Sequence, residues 1–312
     1  MTVFTVHHST TYRYRKPVQF GPHRLMVRPR DSHDQRHVDH TLTITPPPAR
    51  LRWGQDSFGN DVTTATFEGR ANTLSIASVL RIDHTTTTLD PAEVERYARL
   101  MPFSYDPSDM PDLQRSIERH YPDPIHATAD WARGLLRTDG PTSTHTLLIE
   151  LTHRIHRQYT YVGRQEPGIQ APHETLRLGT GTCRDFAVLM IEAARCLGLA
   201  ARFVTGYIHV TRRLGAKTLG GGNTHAWVQV YIPGPGWIDF DPTNNITGSR
   251  DLIRVASVRE PGQAVPVSGS WSGNAEDCLG MDVTVDVVAD PPAAAQDLLT
   301  RRSSQTTKTM AR

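Results

Sequence analysis

Residues 225–243 leave this chain little freedom of fold. His225, Trp227, Gln229 and Tyr231 alternate with Ala226, Val228, Val230 and Ile232, the two-residue period of a β-strand. Pro233-Gly234-Pro235-Gly236 is a turn. Trp237, Asp239 and Asp241 then alternate with Ile238 and Phe240. The two runs make a hairpin. If Tyr231 faces Trp237, then Trp227 faces Asp241, and His225 lies one diagonal step from Asp241 on the same face. Diagonal cross-strand neighbours are within side-chain reach. Asp241 can therefore hold one imidazole nitrogen. Asp239 shares that face but is farther from His225, which makes it the weaker candidate.

Upstream, Gly181-Thr182-Cys183-Arg184-Asp185-Phe186-Ala187 opens a helix. From Cys183, the residues Phe186, Met190, Ala193, Ala194 and Leu197 fall at i+3, i+7, i+10, i+11 and i+14, one helical face. Thr182 can cap this helix, and Asp185 stands at the capping-box position. Gly198 fits its C-terminal stop. Cys183 thus sits in the first turn, where the helix dipole favours thiolate over thiol. Its own N–H is a first-turn donor free to stabilise an oxyanion. Alone, Cys183 reads as a small buried hydrophobe, and His225 and Asp241 as ordinary hairpin and turn residues. A thiol, an imidazole and a carboxylate in this order, each at the end of a regular element, are the minimum machinery of acyl transfer through a thioester.

With these motifs in view, the sequence resembles the transglutaminase-like superfamily. The resemblance rests on G-T-C-R-D-F-A around Cys183, G-L-A-A-R-F-V-T-G-Y at Gly198–Tyr207, T-H-A-W-V-Q-V around His225 and W-I-D-F-D-P-T around Asp241. It is closest to the bacterial branch, which carries a β-rich N-terminal domain. Phe4–Arg28 and the stretch from Pro29 to His84 look like that domain, and Asp251–Val255 and Gly280–Val288 also fit the branch. The similarity spans roughly residues 1 to 290. It implies an α+β fold: a papain-like transglutaminase core, with a cysteine at a helix N-terminus packed on an antiparallel sheet, plus an all-β, sandwich-like N-terminal domain. It also implies a Cys-His-Asp triad at Cys183, His225 and Asp241. In this superfamily an aromatic or amide side chain ahead of the cysteine helix often supplies the second oxyanion donor, and Tyr161 resembles that position. Glu166 and Gln170, in the polar loop before the helix, read as solvated loop residues.

Composition narrows the partners. In 312 residues, 34 basic and 32 acidic side chains nearly cancel, which gives neither a nucleic-acid footprint nor a polyanionic surface. The 15 histidines form no zinc-binding pattern, so neither a metal nor a cofactor is expected, and His7-His8 reads as a strand edge. Cys183, Cys196 and Cys278 do not make a disulfide framework. Cys196 is expected to be a buried filler, and Cys278 to lie in a loop. The first residues lack a basic start and an apolar core, and no apolar run reaches a membrane span, so a cytoplasmic protein is expected.

Along the chain, short strands are expected at Phe4/Val6, Leu25/Val27, Val38–Ile44 and Leu74–Leu80, with turns at Pro47-Pro48 and Ser57–Asp61. We expect the N-terminal β-rich domain over 1–90 and the catalytic core over 91–258. A C-terminal β extension packing on the N-terminal domain should cover 259–290, its final strand at Asp282–Val288, followed by a disordered tail over 291–312. The connector from Thr85 to Pro124 should hold a helical piece at Ala92–Leu100. A helix over Thr144–Gln158, with Leu147, Leu148, Leu151 and Ile155 on one face, should pack on the Cys183 helix. Lys217–Asn223, with three consecutive glycines, suggests a flap beside the His225 strand. Gly269-Ser270-Trp271-Ser272-Gly273 is no nucleophile elbow, because its centre is tryptophan. The sum is a cysteine enzyme that attacks a protein, peptide or glutamine-type amide and passes the acyl group to water or an amine. The competing reading is a silent interaction module that keeps the fold.

Overall fold

The computed structural model describes residues 2–164, 168–210 and 219–290. The chain opens with one strand, β1 (Thr2–Leu25), where two short strands are expected. The signal is hidden because its inward face carries polar groups: His8, Thr10 and His23 are all buried. Next come β2 (Gln35–Thr45), β3 (Arg50–Gln55), β4 (Asp61–Thr66) and β5 (Ala71–His84). The N-terminal half of β1 pairs with β5, and its C-terminal end pairs with β4. The register breaks between Arg13 and Val18, where Pro17 offers no amide hydrogen. Ile44, Leu74 and Ile76 from one side meet Leu25, Ala65 and Phe20 from the other in a shared apolar core, so the expected sandwich-like layering is present.

His7 and His8 do not lie on a strand edge. They sit mid-strand, between β5 and the last strand among the described residues. Burial pushes the His8 imidazole down to about 4, and its nitrogens are engaged by the Tyr207 hydroxyl at 2.9 Å and the Thr10 hydroxyl at 3.1 Å.

The expected helix at Ala92–Leu100 is also absent. A single 3-10 turn, Arg96–Ala98, stands there, flanked by β6 (Leu100–Met101). The backbone is spent on other partners: the Glu95 N–H bonds the Pro233 carbonyl at 2.9 Å, and Arg99 reaches the carbonyls of Val94 and Ala92. Helix α1 (Met110–Ile117), α2 (Ala127–Arg133), β7 (Thr142–Ser143) and α3 (Thr144–Gln158) follow. The Ser143 hydroxyl accepts the Thr146 N–H at the start of α3. As expected, Leu147, Leu148, Leu151 and Ile155 turn toward the cysteine helix and share its core. Then come β8 (Thr160–Tyr161), α4 (Pro172–Leu178), β9 (Thr180–Gly181) and α5 (Cys183–Cys196).

Helix α5 stops at Gly198. That residue adopts φ +81°, a backbone only glycine enters freely. The Gly198 N–H bonds the Arg195 carbonyl and the Leu199 N–H bonds the Ala194 carbonyl, a Schellman end. Cys196, the last helical residue, is half-buried rather than buried.

Strands β10 (Ala201–Ile208), β11 (His225–Ile232), β12 (Gly236–Asp241), β13 (Ile246–Thr247) and β14 (Leu252–Val258) form an antiparallel sheet in the order β13-β12-β11-β10-β14. The hairpin register is the expected one: Tyr231 faces Trp237 and Gln229 faces Asp239. One face of this sheet, through Ala201, Phe203, Val228, Val230, Ile238 and Phe240, packs on α5. Tyr207, Ile253 and Val255, farther along β10 and β14, pack on Phe4, Val6, Leu80 and Ile82 of the N-terminal strands. The described residues end with β15 (Val267–Ser272) and β16 (Cys278–Ala289), both paired antiparallel with β1. Cys278 is therefore an exposed strand residue, not a loop residue. Trp271 lies on β15 against Tyr14, a packing role. The segment 291–312 lies outside the described residues.

Candidate active site

The site forms where the N-terminus of α5 meets the entry end of β11. Cys183 is the first residue of α5 and is 8% exposed. The helix start is fixed from behind by Asp185, whose carboxylate is fully buried. It accepts the Thr182 N–H and hydroxyl, both at 2.8 Å, the Gln170 N–H at 2.7 Å and Arg164 Nη2 at 3.1 Å. As expected of a cap, Asp185 spends itself on backbone and loop donors. Gln170 is not a solvated loop residue, since its side chain also reaches the Thr180 carbonyl at 3.1 Å. Glu166 lies outside the described residues.

His225 and Asp241 meet as the hairpin register requires. His225 Nε2 and Asp241 Oδ2 are 2.8 Å apart with both side chains buried. Asp241 is saturated: its other oxygen accepts the N–H groups of Thr243 and Asn244, and Asn244 Nδ2 donates to Oδ2 at 2.8 Å. Burial alone would lower the pKa of the ring. The charge and hydrogen bond of Asp241 overcome that and, with a contribution from Cys183, raise it to about 10. For Asp241, burial pushes upward and His225 outweighs it, so the carboxyl is held below its usual range.

The other ring nitrogen, Nδ1, is buried and has no hydrogen-bond partner. The Cys183 thiol is close enough to raise the ring's pKa but is not aligned in a standard hydrogen bond. Catalytic contacts are commonly long before substrate binds. Asp239, by contrast, is committed elsewhere: it accepts Trp227 Nε1 at 2.6 Å and faces Arg254. Of the two carboxylates on β12, the structure brings Asp241 to His225.

Tyr161 lies on β8, paired with Gly181 two residues before Cys183. Burial raises its hydroxyl pKa, with nearby Cys183 adding to the effect. Its position thus lies beside the thiol.

Asn244 is the member of the site that sequence reasoning missed. Besides binding Asp241, its Oδ1 accepts the Leu219 N–H at 2.8 Å and its Nδ2 reaches the Leu219 carbonyl at 3.1 Å. This seats Leu219 and Gly220 over the imidazole. A side chain at Gly220 would press into His225 Nδ1 and Cε1, and the residue has φ +83°. The Gly222 carbonyl accepts the Val285 N–H of β16 at 3.0 Å. Of the expected flap, Lys217 and Thr218 lie outside the described residues. The available signal was the pairing of D-P-T-N with a run of glycines.

Comparison with known proteins agrees with this architecture. Residues 4–83 match the bacterial transglutaminase-like N-terminal region, and residues 129–242 match the transglutaminase-like superfamily. The chain belongs to the transglutaminase-like superfamily. An uncharacterized protein of Mycobacterium tuberculosis is 30% identical over 294 residues, covering 91% of this chain and 92% of that one. An uncharacterized protein of Mycobacterium leprae is 26% identical over 299 residues, covering 90% and 96%. The crystal structure of a "Putative Cysteine Protease" from Cytophaga hutchinsonii superposes with a TM-score of 0.68 at 21% identity, over 93% of this chain and 91% of that one, a likeness of fold. Among the described residues, no cluster of histidine, cysteine and acidic side chains could hold a metal, and no helix is long and apolar enough to cross a membrane.

Proposed function

We propose that this protein is a cysteine-dependent acyl-transfer enzyme acting on an amide of a protein or peptide. The observation that carries this reading is the asymmetry of His225: Nε2 is fixed by a buried carboxylate, while Nδ1 is left unpartnered beside the Cys183 thiol. With the ring's pKa raised to about 10, the thiol proton rests on His225 Nδ1 in a thiolate–imidazolium pair, and the thiolate attacks the amide carbonyl carbon. The Cys183 N–H, a first-turn group without an intrahelical acceptor, and the Tyr161 hydroxyl hold the oxyanion. Protonated His225 returns its proton to the leaving amine as the C–N bond breaks, and a thioester remains. Water or a second amine then attacks the thioester and regenerates the thiol. Asp241 keeps the imidazole in one orientation and stabilises its charged form.

The test is a peptide-amide library incubated with and without a primary amine, read by mass spectrometry for ammonia or amine loss and for an acyl adduct on Cys183. Hydrolysis alone marks an amidase or peptidase, and amine incorporation marks a transglutaminase. An adduct on another residue, or turnover that survives Cys183→Ala, overturns the assignment.

A further inference from the structure

A polar cavity lies on the face of the β10–β14 sheet that points away from α5. It measures about 290 Å³, and its lining includes Arg30, Asn60, Arg202, Gln229, Trp237 and Arg254. Gln229 is four residues along β11 from His225, about 13 Å at strand spacing, so the cavity is separate from the candidate active site.

The charge in this cavity is unbalanced. Arg254 is neutralised by Asp34 at 2.9 Å and Asp239 at 3.7 Å. Arg202 and Arg30 have no carboxylate within ion-pair distance among the described residues. Arg202 is nonetheless held in place: its Nε donates to Gln229 Oε1 at 2.9 Å, and its guanidinium lies 4.0 Å above the centre of the Trp237 ring. Burial, then the nearby charge of Arg254, pulls its pKa down to about 9, with Arg30 adding to the effect against Asp239, so the group still carries its charge at neutral pH. Arg30, also in the lining, lies against the turn at Gly59. The one acid in the lining, Asp31, has an oxygen engaged by the His37 N–H. A half-buried cation such as Arg202, without a counter-charge, carries a desolvation cost that a bound anion offsets. A guanidinium clamped by stacking and one side-chain bond presents its remaining N–H groups as a fixed fork, the geometry that oxyanions accept.

We propose that this cavity is an oxyanion-binding site in which Arg202 is the anchor and Arg30 the second cation. The ligand is a phosphate or carboxylate group, seated where the N-terminal segment around Arg30 meets the sheet. The site is independent of the acyl-transfer chemistry, and its test does not depend on turnover.

The full-length protein is titrated calorimetrically with sodium phosphate and, separately, with succinate, each against sodium chloride at matched ionic strength. Saturable binding of one of them is expected, and the tighter of the two identifies the ligand group. Arg202→Gln and Arg30→Gln should each weaken it at least tenfold, while Cys183→Ala leaves it unchanged. Arg30 is an exposed residue, so its variant keeps the test open if Arg202→Gln does not fold. Absence of saturable binding with both anions, or binding that the arginine variants leave as in the wild type, overturns the proposal.

Discussion

The two ends of α5 both bury charge, and they do it differently. At the C-terminal end, Glu192 and Arg195 form an ion pair at 2.8 Å with both side chains 1% exposed. Every group there is occupied: Glu192 also accepts the N–H of His120, and Arg195 donates to the carbonyls of Ser116, Ala201 and Arg259. At the N-terminal end, Asp185 and Asp241 are equally saturated, but they surround a thiol and an imidazole nitrogen that are not. Burial of charge by itself therefore does not mark a functional site. What separates the two ends is a pair of reactive atoms left open inside an otherwise closed network.

The sharpest way to break that contrast is to remove the thiol. Cys183→Ala should abolish amide turnover, by about 10⁴-fold or more, while thermal melting stays close to wild type. Asp241→Asn should follow, with a loss on the order of 10³-fold, because the imidazole loses the partner that sets its tautomer. Asp239→Asn should hurt activity far less, and the reverse ranking in steady-state kinetics would reassign the orienting carboxylate.

At the opposite end of the helix the effect should be on folding alone. Arg195→Met strands the Glu192 carboxylate and should cost about 3–5 kcal/mol in denaturant unfolding, with activity per folded molecule retained. Asn244→Ala should lower kcat by roughly tenfold through the lost bonds to Asp241 and Leu219, and should shift the pH–rate profile.

The smallest effect is the pH dependence of stability. The folded pKa of His225 is raised, so its contribution is complete below about pH 6.5 and is lost as pH climbs toward about 10. The folded pKa of Asp241 is lowered, so its contribution is complete above about pH 3.8 and is lost as pH falls through the lowered value. Melting temperature against pH should therefore decline on the alkaline side in the wild type, and less so in Asp241→Asn.

Local periodicity carried much of this into the sequence. The α5 face, the Thr144–Gln158 helix and the hairpin register were legible because each is set by residues near one another in the chain. That register places Asp241 beside His225, so the pairing of the two was legible as well. What escaped was decided by partners far away. The continuous β1 hides behind buried His8 and Thr10, whose polarity breaks the alternation. The Ala92–Leu100 stretch has helical composition, but its amides are drawn to Pro233 and Asp90. Asn244 looks like a turn residue after proline until Leu219 and Asp241 stand on either side of it.

The bond between Gly222 and Val285 has a consequence in time. The glycine segment over the imidazole takes one of its anchors from β16, the last strand among the described residues. During synthesis, residues 183, 225 and 241 leave the ribosome well before residue 285. A nascent chain halted between them would carry the reactive groups without the clasp that seats the glycines, so assembly of the complete site is deferred until translation has passed that strand.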